Sequence, residues 1–157
     1  MRIRPADPRD LETVARANVA LARETEGLSL DLERALCGVR AALEDPSRGR
    51  YLLAEVGGAV VGQLLITREW SDWRDGWYWW IQSVWIEPDT RRRGMFRALY
   101  ARVLEDARKE GVLAVKLYVD RGNARAQATY RALGMVRARY DLFETEIGPR
   151  GPGGEAS

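Results

Sequence analysis

The chain has no histidine and a single cysteine among 157 residues. Without histidine there is no Ser-His-Asp triad, no HExxH zinc site and no mixed Cys/His metal cluster. One cysteine cannot close an internal disulfide, so a reducing, cytoplasmic location is the expectation. No apolar run approaches the roughly 18–20 residues a membrane span needs. The opening Met1-Arg2-Ile3-Arg4-Pro5 is basic but lacks the apolar stretch of a signal peptide. A net charge of only +2, despite 25 basic residues, argues against a dedicated nucleic-acid binder. What is present is a 46% hydrophobic, 31% charged composition. That suits one folded domain and is too apolar for intrinsic disorder.

Periodicity divides the chain. Residues 1–4 read as a short strand, and Asp7-Pro8 as a helix start, with Asp7 as N-cap and Asp10 near the positive helix end. Leu11, Val14, Asn18, Leu21 and Ala22 recur at helical spacing until Gly27, and Leu32, Leu36, Val39 and Leu43 mark a second helix. Cys37, beside that stripe, reads as a small core residue. Gly57-Gly58 joins strands at 51–56 and 59–67, and residues 70–76 read as a polar loop. Residues 77–86 are apolar on both alternating faces, with Trp77, Trp79, Ile81 and Trp85 on one side and Tyr78, Trp80, Val84 and Ile86 on the other. Such a strand is expected at the centre of a sheet. All six tryptophans lie between positions 70 and 85, which predicts that this region is the centre of the structure. A helix at 94–110, a strand at 112–119, a helix from Asn123 to Leu133 and a last strand at 139–147 follow. The expected fold is α/β (α+β), a mixed central sheet of about six to seven strands flanked by about four helices. Residues 1–147 form the expected domain, and 148–157, rich in Gly and Pro, an expected disordered tail.

The most informative local feature is the turn Arg91-Arg92-Arg93-Gly94-Met95-Phe96-Arg97 between the apolar strand and a helix. A helix start offers unpaired N–H groups, glycine permits close backbone approach, and arginines bind phosphate bidentately. Taken alone, these residues fit a solvated basic turn equally well. The turn has neither the G-K-[ST] of a Walker loop nor G-x-G-x-x-G.

The stretch from Val84 to Met95 resembles the signature of the GNAT superfamily of acetyl-CoA-dependent N-acetyltransferases, [Q/R]-x-x-G-x-[G/A] after an apolar strand. Arg91 and Gly94 match it, whereas Phe96 stands where the family prefers Gly or Ala. A second block, Asn123-Ala124-Arg125-Ala126-Gln127-Ala128-Thr129-Tyr130-Arg131-Ala132-Leu133-Gly134-Met135, is similar to the family's N-x-x-A-x-x-x-Y-x-x-x-G-[F/M]. The resemblance implies a single-domain GNAT-like fold with acetyl-CoA as co-substrate and no metal. By the same resemblance, the backbone of Val84, Trp85 and Ile86 would pair with the pantetheine arm, and Arg91 to Arg97, through Gly94, Met95 and Phe96, would hold the pyrophosphate. Asn123 would contact the cofactor arm, and Tyr130 would be the general acid that protonates the departing thiolate.

The acceptor side rests on weaker patterns. An alkyl amine has a pKa of about 10.4 and must lose a proton before it attacks. Some members carry a glutamate base where Gln82 stands; a neutral amide cannot do that work, so Gln82 is either a substrate contact or a satisfied amide. Glu69 is the candidate base, and Glu24, Glu26 and Asp72 are candidate acceptor contacts, since acids interleaved with tryptophans suit a cationic amine. The expected partner is a small-molecule or peptide amine, with no nucleic acid or membrane. The tryptophan-rich loop is a candidate homodimer contact, which core packing would explain equally. The alternative function is a catalytically weak CoA-binding sensor.

Overall fold

The computed structural model describes residues 1–148; the expected tail, Gly148 apart, lies outside them. Residues Met1–Leu117 make one compact unit, and the described residues from Tyr118 onward make another.

In the first unit, Arg2–Pro5 (β1) leads into a single 3-10 turn, Pro8–Asp10, and then Leu11–Glu26 (α1). Asp7 caps that turn and Asp10 reaches back to the Asp7 N–H, a reciprocal capping box. Helix α1 ends at Gly27 with φ 65°, and Asp31 caps Leu32–Glu44 (α2). Arg50–Val56 (β2), Ala59–Ser71 (β3) and Gly76–Ile86 (β4) form an antiparallel meander with β1. Met95–Lys109 (α3) then crosses to Ala114–Leu117 (β5), which pairs parallel with β4. The sheet order is β1-β2-β3-β4-β5.

Both faces are covered. Val14, Ala15, Ala35 and Val39 of α1 and α2 pack with Tyr51 and Leu53 on one face. On the other, α3 brings Leu99 and Val103 to the side that carries Leu52, Leu64, Ile66, Trp79 and Ile81, all at most 2% exposed. Glu110 fastens the end of α3 to that face through Arg50 (2.8 Å) and Arg68 (3.3 Å).

In the second unit, Asn123 caps Ala124–Ala132 (α4) by accepting the Ala126 N–H at 3.0 Å. The chain leaves the helix through Gly134, φ 86°.

Several expectations change. Five strands are present among the described residues, not six or seven. The missing one is 139–147, which has no ladder partner; its Tyr140, Leu142, Phe143 and Ile147 are 65–95% exposed. Apolar residues at strand-like spacing do not make a strand where no edge is offered to them. The loop at 70–76 contracts to the turn 72–75, because β3 and β4 stay paired out to Ser71 and Gly76. The tryptophans are not all central: Trp79 and Trp85 are buried, but Trp70, Trp73 and Trp77 are 48%, 94% and 42% exposed. Cys37 is exposed, since the buried side of α2 runs through Ala35 and Val39, on either side of it in the helical turn.

The Arg4–Asp10 pair yields a pH prediction. Asp10 is buried and accepts Arg4 Nη1 and Nη2 at 2.7 and 2.9 Å and the Asp7 N–H at 2.8 Å, while Arg4 Nε reaches Glu55. The Arg4 bonds hold the Asp10 carboxyl below its ordinary 3.8. A depressed carboxylate stabilises the fold above its unfolded pKa, and that contribution is lost as pH falls through the folded value. Asp10→Asn is therefore expected to cost about 2 kcal/mol at pH 7. Urea titrations of both proteins at pH 7 and pH 3 should show the deficit shrinking in acid; a constant deficit would show that charge is not its source.

Candidate active site

Strand β4 is not regular. Gln82 faces Leu65 and Trp85 faces Gln63, so two residues of β4, Ser83 and Val84, stand opposite Leu64 alone. This β-bulge places Ser83 at φ 49°, a left-handed conformation uncommon for serine. The inserted residue reverses the alternation. Trp85 joins Gln82 on the α1 side of the sheet, not Trp79 and Ile81 as the simple alternation predicts. Pairing with β5 stops at Ile81–Leu117, so among the described residues no strand continues alongside the β4 edge at 82–86. The bulge therefore ends in a length of open backbone.

Beneath it lies a polar cluster in an otherwise apolar layer. Asn18 of α1 donates to the Tyr51 hydroxyl at 3.1 Å and accepts from Gln63 Nε2 at 2.8 Å. Burial pushes the Tyr51 phenol up, and hydrogen bonds from Asn18 and Ser83 moderate the rise. Tyr51 thus links the bulge residue to α1. Asn18 within an apolar helical stripe, and Gln63 within an apolar strand, were the sequence signals for this cluster; Tyr51 carried none.

Past β4, Pro88–Thr90 form another 3-10 turn before the arginines. Arg92 at φ 64° and Gly94 at φ 82° are both left-handed, and Gly94 is the N-cap of α3. Nothing lies within 4 Å of where a Gly94 Cβ would stand, so glycine is required there by conformation, and the space above it is open. The first N–H groups of α3, from Met95 onward, have no partner within the helix. Met95 itself is buried. Arg92, Arg93 and Arg97 are exposed and form no ion pair among the described residues. Phe96 stacks along its own helix on Tyr100, centroids 6.1 Å apart. This combination of open strand edge, left-handed turn and basic helix start fits an extended thiol ester whose far end carries phosphate.

Arg91 is placed differently. Its Nε donates to the Ile86 carbonyl at 2.8 Å, and its Nη1 and Nη2 donate to the two Glu24 oxygens at 2.7 and 2.8 Å. Its guanidinium lies 4.9 Å from the centre of the Trp85 ring. Glu24 is accordingly engaged at the turn.

On the α1 side of the sheet, Gln82 donates to Thr67 at 2.6 Å, and Glu69 accepts from the Trp80 indole and from Lys116 at 3.3 Å. The Lys116 ammonium also sits 3.7 Å from the Tyr78 ring centre. Gln82 and Glu69 thus share one face with Thr67 between them, beside aromatic rings and a cation that the sequence did not announce. Asp72 accepts the Trp73 N–H in the hairpin turn, and Glu26 is the exposed last residue of α1. Asn123 spends its side-chain oxygen on capping α4. Tyr130 is half-buried on α4, and burial raises its phenol above 10. Among the described residues no cluster of Asp, Glu or Cys is arranged to hold a metal, and no helix is long and apolar enough to cross a membrane.

Known structures share this fold. A possible acetyltransferase from Clostridium difficile 630 is 40% identical, with a TM-score of 0.88 over 94% of this chain and 98% of its own. AAC(6')-Iy, solved in complex with the bisubstrate analog CoA-S-monomethyl-acetylneamine, shares the fold at TM-score 0.75 and 17% identity, over 94% of this chain and 98% of its own. The mycothiol acetyltransferase of Thermobispora bispora is 32% identical over 94 residues, 59% of this chain and 32% of the relative. The [ribosomal protein bS18]-alanine N-acetyltransferase of Escherichia coli K12 is 34% identical over 68 residues, 42% of this chain and 46% of the relative. The chain thus matches less than half the length of either curated relative. The model of the Acetyltransferase (GNAT) family matches residues 16–135, three-quarters of the chain, from within α1 to just past α4, and the chain belongs to that family.

Proposed function

We propose that the protein is an N-acetyltransferase that moves an acetyl group from acetyl-CoA to a primary amine by direct attack in a ternary complex. The observation that carries this reading is the bulged, open edge of β4 running straight into the left-handed basic turn at the start of α3. Residues 1–147 are the proposed catalytic domain. Backbone groups of Val84, Trp85 and Ile86 would pair with the pantetheine arm; Arg92, Arg93, Gly94, Met95, Phe96 and Arg97 would cradle the pyrophosphate. Bound acetyl-CoA supplies a thioester carbonyl open to attack.

The chain's own groups would do the rest. The Val84 N–H, held by the bulge, donates to the carbonyl oxygen as it gains charge, and a fixed donor needs no reorganisation at that moment. Glu69, opposite Tyr78 and several residues along β4 from Val84, would take the proton the ammonium must lose through intervening water. The amine nitrogen bonds to the carbonyl carbon, the carbon–sulfur bond breaks, Tyr130 gives its proton to the thiolate, and the second proton leaving the nitrogen restores the phenol through water. Gln82, on the same face as Glu69, and the acidic Asp72 and Glu26 would favour a cationic acceptor. Asn123 keeps a place beside the cofactor arm in this reading. The chemistry named for the relatives, a ribosomal-protein alanine amine, supports an amine as the acceptor class.

The test is CoA-thiol release from acetyl-CoA over a panel of polyamines, amino acids, aminoglycosides and lysine peptides. Release with one acceptor class supports the enzyme; calorimetric binding of acetyl-CoA with no release across the panel supports a sensor instead. Replacing Arg93 and Arg97 together by alanine is expected to raise the acetyl-CoA Kd at least about tenfold, since charge-assisted phosphate bonds are lost. An unchanged Kd would move the cofactor away from this turn. Glu69→Gln should lower kcat/KM about a hundredfold near pH 7 and less as pH rises toward the amine's own pKa. If the rate-versus-pH profile keeps its shape, another group is the base.

A further inference from the structure

Arg91 opens the basic turn, yet its guanidinium is held from three sides. Nε is bonded to the Ile86 carbonyl, both Nη atoms grip the Glu24 carboxylate, and the Trp85 indole lies against its face. Trp85 is 7% exposed and stands on the α1 side only because the bulge put it there. The contrast with Arg92, Arg93 and Arg97, exposed and without an ion pair among the described residues, is sharp.

We propose that Arg91 is a positioning residue, not a phosphate ligand, and that Glu24 is its working partner: the pair braces the end of α1 against the β4–α3 turn. The inference rests on the reading of that turn as the cofactor's phosphate site. For Arg91 to turn to a phosphate it would have to give up a bidentate pair, a carbonyl bond and its contact with an indole. The Glu24 carboxylate would then be left beside a polyanion, which is repulsive. Finally, the residue after Arg91 is a non-glycine at φ 64°, a conformation that persists only where neighbouring structure enforces it. Arg91, tied to Ile86 before the turn and to α1 across it, is the anchor that does so. The consequence is mechanical: the α1 end and the cofactor turn move together, so Glu24, expected at the acceptor, acts on the cofactor.

Calorimetric titration with CoA across a series of NaCl concentrations tests this. Arg91→Gln and Glu24→Gln should each weaken CoA binding about fivefold, as for one partly exposed ion pair. The double variant should be no weaker than the poorer single one, because the two changes remove the same interaction. Both singles should keep the wild-type salt dependence, whereas Arg93→Gln should flatten it. Arg91→Lys, which keeps the charge but not the fork, should behave like Arg91→Gln. If Glu24→Gln leaves binding unchanged or tightens it while Arg91→Gln flattens the salt dependence, Arg91 is a phosphate ligand for which Glu24 competes, and the brace is overturned. If the wild-type protein does not bind CoA, the cofactor reading itself falls, and the brace with it. Thermal unfolding midpoints within a few degrees of wild type confirm that the variants are folded.

Discussion

Tyr130→Phe lowers the rate of CoA-thiol release about a hundredfold or more, with little change in the KM for acetyl-CoA, if the phenol is the general acid. The substitution removes one oxygen and keeps the ring, so packing of α4 is preserved. Burial raises the Tyr130 phenol above 10, which keeps its proton in place at neutral pH and through the mildly alkaline range. The sign of the pH dependence follows. An acid works while protonated, so its loss should bend the wild-type rate downward only above pH 10. The measurement is initial rate from pH 6 to pH 10.5 for both proteins, with the acceptor that the panel identifies. A variant within threefold of wild type, or a downward bend centred near pH 8, would assign the proton to another group.

Trp79→Ala should be the most destabilising single change in the sheet, by about 3–5 kcal/mol. The indole is 1% exposed, on the α3 side of β4, with the Arg50 guanidinium 4.3 Å from its centre. Truncation empties a large volume between sheet and helix and leaves the buried Arg50 Nε and Nη2 without the ring they lie against. Trp73→Ala, in the hairpin turn and 94% exposed, is the matched control and should change stability by less than about 0.5 kcal/mol. Urea unfolding followed by circular dichroism compares them. Equal midpoints would mean that Trp79 does not anchor the α3 side of the core.

What could be read from the residues was whatever periodicity or punctuation encodes. Gly57-Gly58, Gly27 and Gly94 marked element ends that the structure keeps. The basic turn stood out because arginines and a glycine sat between an apolar strand and an amphipathic helix. Pairings of side chains distant in sequence left no such trace. Arg91–Glu24 spans 67 positions and Lys116–Glu69 spans 47, and nothing local specifies either. The bulge leaves no trace in the sequence for a related reason. Residues 77–86 are apolar on both sides, so a one-residue slip does not disturb the hydrophobic pattern that would betray it. The strand expected at 139–147 failed in the opposite direction: its composition was right, but a strand also needs a neighbour.

The insertion at Ser83 makes β4 two half-strands joined out of phase. Before it, even-numbered side chains face α1; after it, odd-numbered ones do, as Gln82 and Trp85 show. Reading frame, in this sense, is a property of the fold as well as of the gene. Deleting one residue between Gln82 and Trp85 would leave the composition almost untouched. It would nonetheless close the bulge, and with it the left-handed backbone at Ser83, while Trp85, now two positions from Gln82, stayed on the α1 side. The strand tolerates exchange of one apolar residue for another far better than a change in their number.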